Sequence, residues 1–197
     1  MRYFFGDLFN CIKLKKGYFV LLILLSIVMI ILGVVACINL DNSLTIDLSN
    51  ISYMKFLKGG GFGSMMFSLF LALSIFAIAL ILCHWKTFLI PIGIIFYLYL
   101  VYSQTFIFVS IILIYGIFNC IILLILLLLY LFFLWSIFLM LCCELSCHCK
   151  SPSYFRDCFS FKRSKVLFFL LSLLMLTLIF TIILTVLKKF VILLIFG

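Results

Sequence analysis

Charge is missing from the middle of this sequence: from Thr87 to Cys143 there are 57 residues without one Asp, Glu, Lys or Arg. A spanning helix needs roughly 20 apolar residues to cross a hydrocarbon core about 30 Å thick, so this run holds two crossings with residues left over. Charged residues make up only 10% of the chain against 69% hydrophobic ones, too little polar surface to cover a water-soluble globule of 197 residues. Acidic residues are the scarcest, limited to Asp7, Asp41, Asp47, Glu144 and Asp157. No ionisable residue falls at the expected midplane of an apolar run. Such residues are costly in a bilayer and usually mark ion paths or proton relays, so proton-coupled transport and intramembrane proteolysis lose support. A lipid-modifying enzyme would need a cluster of His, Asp or Glu at an interface, and none stands out. The residues therefore point to a non-enzymatic membrane protein with no catalytic residue, no cofactor and no metal.

The charge that is present is basic, 14 Lys and Arg against 5 Asp and Glu, for a net charge of +9. In a soluble protein that balance would suggest nucleic acid. Here the charges flank apolar runs, so they read as topology signals and as partners for anionic lipid headgroups. Arg2, Lys13, Lys15 and Lys16 precede an apolar run that is too long for a secretory signal and has no small-x-small cleavage site after it. It is read as an uncleaved first span.

The pattern predicts an all-α, polytopic membrane helical bundle of about five spans: 18–38, 65–84, 88–103, one within 106–142, and 166–187. The whole chain is one integral membrane domain. The basic amino terminus, Lys86 and a loop over 144–165 are expected in the cytoplasm, and the neutral loop over 39–64 outside. Parity then allows two crossings between Lys86 and Glu144, although 57 helical residues would extend about 85 Å. Ser103, Gln104, Thr105, Gly116 and Asn119 are places where the helix can break, so the surplus is expected in a long tilted helix or in a broken or re-entrant segment between 103 and 119. Lys188 and Lys189 fall outside, against the rule.

Several motifs have plainer readings than they first offer. The GGGFGS sequence from Gly59 to Ser64 lacks a preceding strand and a following Lys-Ser or Lys-Thr, so it reads as a hinge and not a phosphate loop. Cys142, Cys143, Cys147, His148, Cys149 and Cys158 are the densest set of potential metal ligands, but they lack paired CxxC knuckles. Reduced cysteines at the membrane edge are the simpler reading, with palmitoylation of Cys142 and Cys143 as a further option in a eukaryote. Asn50-Ile51-Ser52 is a formal glycosylation sequon of poor specificity. His84, Trp85 and Lys86 suit an interfacial belt, and Pro91 suits the first turns of a helix. Gln104 and Asn119 are the only amides of the central run and are candidate interhelical contacts, worth about 1 kcal/mol each.

In layout the chain resembles the stage II sporulation protein M family of integral membrane proteins. The segment FNCIKLKKGYFVLLILLSIVMIILGVV is similar to that family's basic amino terminus and first span, which ends here in Gly33-Val34-Val35. WKTFLIPIGIIFYLYLV resembles its basic turn and glycine-containing run, with Gly93 at the corresponding place. VSIILIYGIFNCIILLILLLLY resembles the region where the family has a Pro-His-Asn or similar triplet before a long helix, with Asn119 as the matching asparagine. The family's usual Pro and Glu or Gln are absent there, replaced by Gly116, Ile117, Phe118 and aliphatic residues. The resemblance implies a membrane assembly or scaffold component of a bacterial cell membrane. Its partners would be lipids and other membrane proteins or a wall hydrolase, with no nucleic acid. In that reading Arg156, Lys162, Arg163 and Lys165 form a cytoplasmic docking loop. The alternative is a permease subunit driven by a separate ATPase, with 151–165 as its coupling segment. A membrane enzyme is a third and weaker reading.

Overall fold

The computed structural model of the chain describes residues 13, 15–39, 51–148 and 165–196; the side chains of 147, 148, 165, 166 and 196 are outside that description. Among the described residues the backbone forms six α-helices and no strand. They are α1 (Lys16–Asn39), α2 (Ser52–Leu57), α3 (Phe62–Cys83), α4 (Ile90–Tyr115), α5 (Ile117–His148) and α6 (Lys165–Phe196), with a 3-10 turn at Thr87–Leu89. All but α2 are long and apolar enough to cross a membrane. Helices satisfy their own backbone hydrogen bonds, as hydrocarbon demands. The protein is an integral membrane protein built as a helical bundle.

The charge-free central run becomes two helices, of 26 residues in α4 and 32 in α5. At 1.5 Å per residue they reach ~39 and ~48 Å, so the surplus over a core of about 30 Å goes into length, and α4 passes through 103–105 unbroken. The hydroxyls there are turned back onto the helix, Ser103 Oγ donating to Leu100 O at 3.0 Å and Thr105 Oγ1 to Val101 O at 2.9 Å. The break expected between 103 and 119 is a single-residue reversal at Gly116, not a re-entrant segment. Its φ of 78° and ψ of 154° lie where an L side chain is strained. Gly116 N donates to Ile112 O at 2.9 Å and closes the last turn of α4. Pro91 sits in the first turn of α4, where its missing N–H costs little.

Pairings along the helices set the topology. Ser26 meets Tyr97 and Cys37 meets Ser110, so α1 and α4 run parallel. Tyr97, early in α4, is near Cys142 and Cys143, late in α5, so α4 and α5 are antiparallel. Contacts of α3 with α4, α4 with α5, α5 with α6 and α6 with α3 close a four-helix ring, and α1 lies outside it along α4. The parallel pairing of α1 and α4 puts Lys15, Lys16 and Lys86 at one end of the bundle, here the Lys86 end. Gly116 and α2 mark the other. The core holds Leu80, Tyr97, Leu100, Leu134, Phe138, Leu173 and Leu184, each at 1% exposure or less.

The connection between α1 and α3 is more than a surface loop. Within it α2 tucks Tyr53, Met54, Phe56 and Leu57 into the Gly116 end. The Tyr53 ring stands edge-on to Phe180 of α6 at 6.5 Å, and Phe180 lies 4.3 Å from Tyr130 of α5. Lys188 Nζ donates to Phe56 O at 2.7 Å and sits 4.4 Å from the centre of the Phe56 ring. A cation is favourable among the free carbonyls at a helix C-terminus. The outward Lys188 that the positive-inside pattern leaves unexplained is therefore a cap for α2. The glycines after it make the corner: Gly59 has φ 130°, and a Cβ on Gly60 would stand 3.0 Å from Lys55 O and Phe56 Cα.

Candidate functional site

Two places combine polar groups or open space with the apolar interior: the seam and groove beside α1, and the Lys86 end of the bundle. The seam is built from small residues. Ser26, Gly33 and Cys37 share one face of α1, and a Cβ on Gly33 would stand 3.2 Å from both Thr105 Cβ and Tyr102 O of α4. Without a bulk solvent to drive helices together, such close approach supplies the dispersion contacts that hold them.

Two interhelical hydrogen bonds lock this seam. Ser26 Oγ donates to Leu22 O at 2.7 Å, so its one proton is spent and the Tyr97 hydroxyl must donate to Ser26 Oγ at 2.9 Å. Ser110 Oγ likewise donates to Phe106 O at 2.8 Å and accepts from the Cys37 thiol at 3.2 Å. Each hydroxyl serves its own backbone and the facing helix together.

Beside the seam, α1 and α5 diverge over α4 and leave an apolar cavity of about 310 Å³. Ile30 and Val34 of α1, Thr105, Phe108 and Val109 of α4, and Leu128, Leu131, Phe132 and Trp135 of α5 line it. These positions lie well inside their spans, and Leu128 and Phe132 on the rim are exposed, so the cavity opens sideways into the bilayer. Thr105 Oγ1 is already bonded to Val101 O. The Trp135 indole Nε1 is buried and has no partner among the described residues.

At the Lys86 end, His84 is fully buried in the turn after α3. Its Nδ1 is 2.8 Å from Leu80 O, and a carbonyl only accepts, so the proton is on Nδ1 and the Nε2 lone pair is bare. Nε2 is buried without a partner among the described residues. Burial lowers the pKa of His84 below the ordinary histidine value, and the bond to Leu80 O opposes that shift. Gly93 makes the room: a Cβ there would stand 2.6 Å from His84 Cε1 and 2.8 Å from Nδ1.

The residues singled out from sequence are dispersed. Gln104 is half-buried in the middle of α4, and Asn119 is exposed in the first turn of α5. With α4 and α5 antiparallel about Gly116, the two amides stand at different depths. Glu144, assigned from sequence to the basic loop, is 4% exposed within α5, which continues to His148. Cys142 and Cys143 are buried in the bundle as reduced thiols and not at a lipid-facing edge. Arg156, Lys162, Arg163, Cys149 and Cys158 lie outside the described residues, as do the side chains of Lys165, Cys147 and His148. Among the described residues no three His, Cys, Asp or Glu are grouped to hold a metal ion. The seam residues Ser26, Gly33, Cys37, Tyr97 and Ser110 were not singled out as contacts. The signal for three of them was present, as small residues at spacings of seven and four in the first span.

No family model, curated protein or solved structure matches the chain.

Proposed function

We propose that this integral membrane protein is a non-enzymatic assembly component that holds other membrane components together, the role implied by its resemblance to the stage II sporulation protein M family. The observation that carries this reading is the position of α1. One edge of α1 is locked to α4 through Ser26, Gly33 and Cys37, while Val20, Leu24, Ile27, Val28 and Ile31 are exposed. That leaves a long lateral surface and a groove, both addressed to things dissolved in the membrane and neither to a water-soluble substrate. In this reading the Lys86 end, with Lys13, Lys15 and Lys16, faces the cytoplasm of a bacterial cell. The basic segment carrying Arg156, Lys162, Arg163 and Lys165 then docks a partner or anionic lipid there.

The test is crosslinked co-purification of the tagged full chain from its host's membranes, with partners identified by mass spectrometry. Recovery of a wall hydrolase or a second membrane protein supports the assembly role. Recovery of an ATPase moves the assignment to a permease subunit, and an empty result counts against both.

A further inference from the structure

Two spans that open at the Lys86 end start level with each other. The span in α1 begins at Lys16 and the span that runs through α4 begins at Thr87, 71 residues later. The bond from Tyr97 to Ser26 joins residues the same 71 apart, so the parallel helices hold Lys15 and Lys16 at the height of Lys86 and Thr87. Lys15 lies eleven residues before Ser26, about three turns at 3.6 residues per turn, and Phe19 N donates to Lys15 O at 3.0 Å to start the helix there. Lys15 therefore opens the face of α1 that carries Ser26 and meets α4. Lys16 and Lys86 are exposed at the same height, and Lys13 is exposed two residues upstream of Lys15.

Nothing among the described residues balances this charge. No acidic residue stands in the first turn of α1, in the 3-10 turn or in the first turn of α4. Glu144, the only acidic residue among the described ones, follows Cys143 near the depth of Tyr97, about 15 Å further into the bundle at 1.5 Å per residue. The parallel pairing also sets two positive helix-dipole ends side by side, which adds to the repulsion. Trp85 and Phe88 flank Lys86 at 52% and 73% exposure. Exposed aromatic rings at the mouth of a span settle at headgroup level, where the nearest anion is a lipid phosphate. We propose that the shared mouth of α1 and α4 binds the phosphate of an anionic phospholipid from the surrounding bilayer, held between Lys15 and Lys86 with Lys13 and Lys16 beside them. A soluble anion meets the same cations but gains nothing from the two rings. The inference rests on the bundle lying in a bilayer and is independent of the assembly role.

The experiment uses the full chain in phosphatidylcholine vesicles. Trp85 and Trp135 are the only tryptophans, so Trp135→Phe leaves Trp85 as the sole indole reporter. Phosphatidylglycerol and phosphatidylcholine carrying the same brominated acyl chains are compared as quenchers of Trp85 emission, which reads the lipid next to the site. Phosphatidylglycerol should be preferred. Lys15→Gln and Lys86→Gln should each cut that preference about fivefold, since a basic residue near an anionic surface is worth about 1 kcal/mol. Lys15→Arg and Lys86→Arg should keep it, and Lys189→Gln at the opposite end should leave it unchanged. Inorganic phosphate in place of chloride at constant ionic strength should not lower it. Equal quenching by the two lipids, or a preference that survives both glutamine variants, would overturn the site. An equal fall in Lys189→Gln would also overturn it, because the net charge of the chain would then set the preference. Loss of the preference in phosphate buffer would make the occupant a soluble anion and overturn the lipid assignment.

Discussion

Replacing Lys188 by Met should release α2 while leaving the transmembrane ring intact. The methionine keeps an apolar stem against Phe56 but removes a hydrogen bond of 2.7 Å to Phe56 O and a cation 4.4 Å above the Phe56 ring. A hydrogen bond to a charged group is worth about 1.5–3 kcal/mol. A partly exposed cation–π contact adds about 0.5–1 kcal/mol. Partial exposure of Lys188 puts the sum near the low end, at about 2–3 kcal/mol. Local opening of α2 should then rise about 30- to 150-fold, since each 1.4 kcal/mol is a factor of ten. The amides to follow are those whose bonds close this turn: Lys55 to Ile51 O, Lys58 to Met54 O and Gly60 to Lys55 O. Hydrogen exchange by mass spectrometry in nanodiscs should show faster exchange across residues 52–60 and little change in α5. Lys188→Arg should preserve much of the protection, and Lys189→Met should match the parent, because Lys189 is exposed. If Lys188→Met leaves exchange in this segment unchanged, α2 is held by burial of Tyr53, Met54, Phe56 and Leu57 alone and the capping argument is wrong.

Other perturbations test the remaining contacts. The lowered pKa of His84 means that the unfolded chain binds the proton more readily. Stability from this group is therefore complete above about pH 6.5 and is lost as pH falls through the folded value. His84→Asn should flatten that part of the pH profile of thermal unfolding, while an identical profile would remove His84 as the cause. Gly93→Ala places a Cβ 2.6 Å from His84 Cε1 and should displace the ring, costing about 1–3 kcal/mol by overpacking, read as a lower Tm. Gly33→Leu should wedge α1 off α4, and an engineered disulfide between Cys37 and Ser110→Cys should form much more slowly in the Gly33→Leu background than with Gly33 present. Gly116→Ala forces an L residue to φ 78° and ψ 154° and should cost about 1–3 kcal/mol in mixed-micelle unfolding; an unchanged midpoint would show that the reversal tolerates a Cβ.

Sequence legibility followed the hydrophobic pattern closely and the polar pattern poorly. Long apolar runs identify spanning helices because hydrocarbon leaves no other partner for backbone amides. That is why five spans and the helical class could be read directly. The run from Thr87 to Cys143 was harder, because residues 103–105 and Gly116 offered equal chances of a break. Hydroxyls can return to their own helix carbonyls, as Ser103 and Thr105 do, whereas only glycine relaxes at Gly116's φ and ψ. Gln104 and Asn119 drew attention as amides. The bonds that lock helices fell instead to Ser26, Tyr97, Cys37 and Ser110, whose side chains sit where backbones approach. Glu144 looked like the start of a loop by charge, yet α5 carries it inside the bundle.

The sequence by itself determined the solvent, the class and the approximate number of crossings, because each follows from the free energy of moving residues between water and hydrocarbon. Tertiary structure alone decided which helices touch. Leu, Ile and Phe face lipid and neighbouring helices on nearly equal terms, so composition cannot tell the exposed Leu24 from the buried Leu22. It took the packed bundle to set α1 outside a ring of α3 to α6, to seat α2 under Lys188, and to leave an apolar groove between α1, α4 and α5.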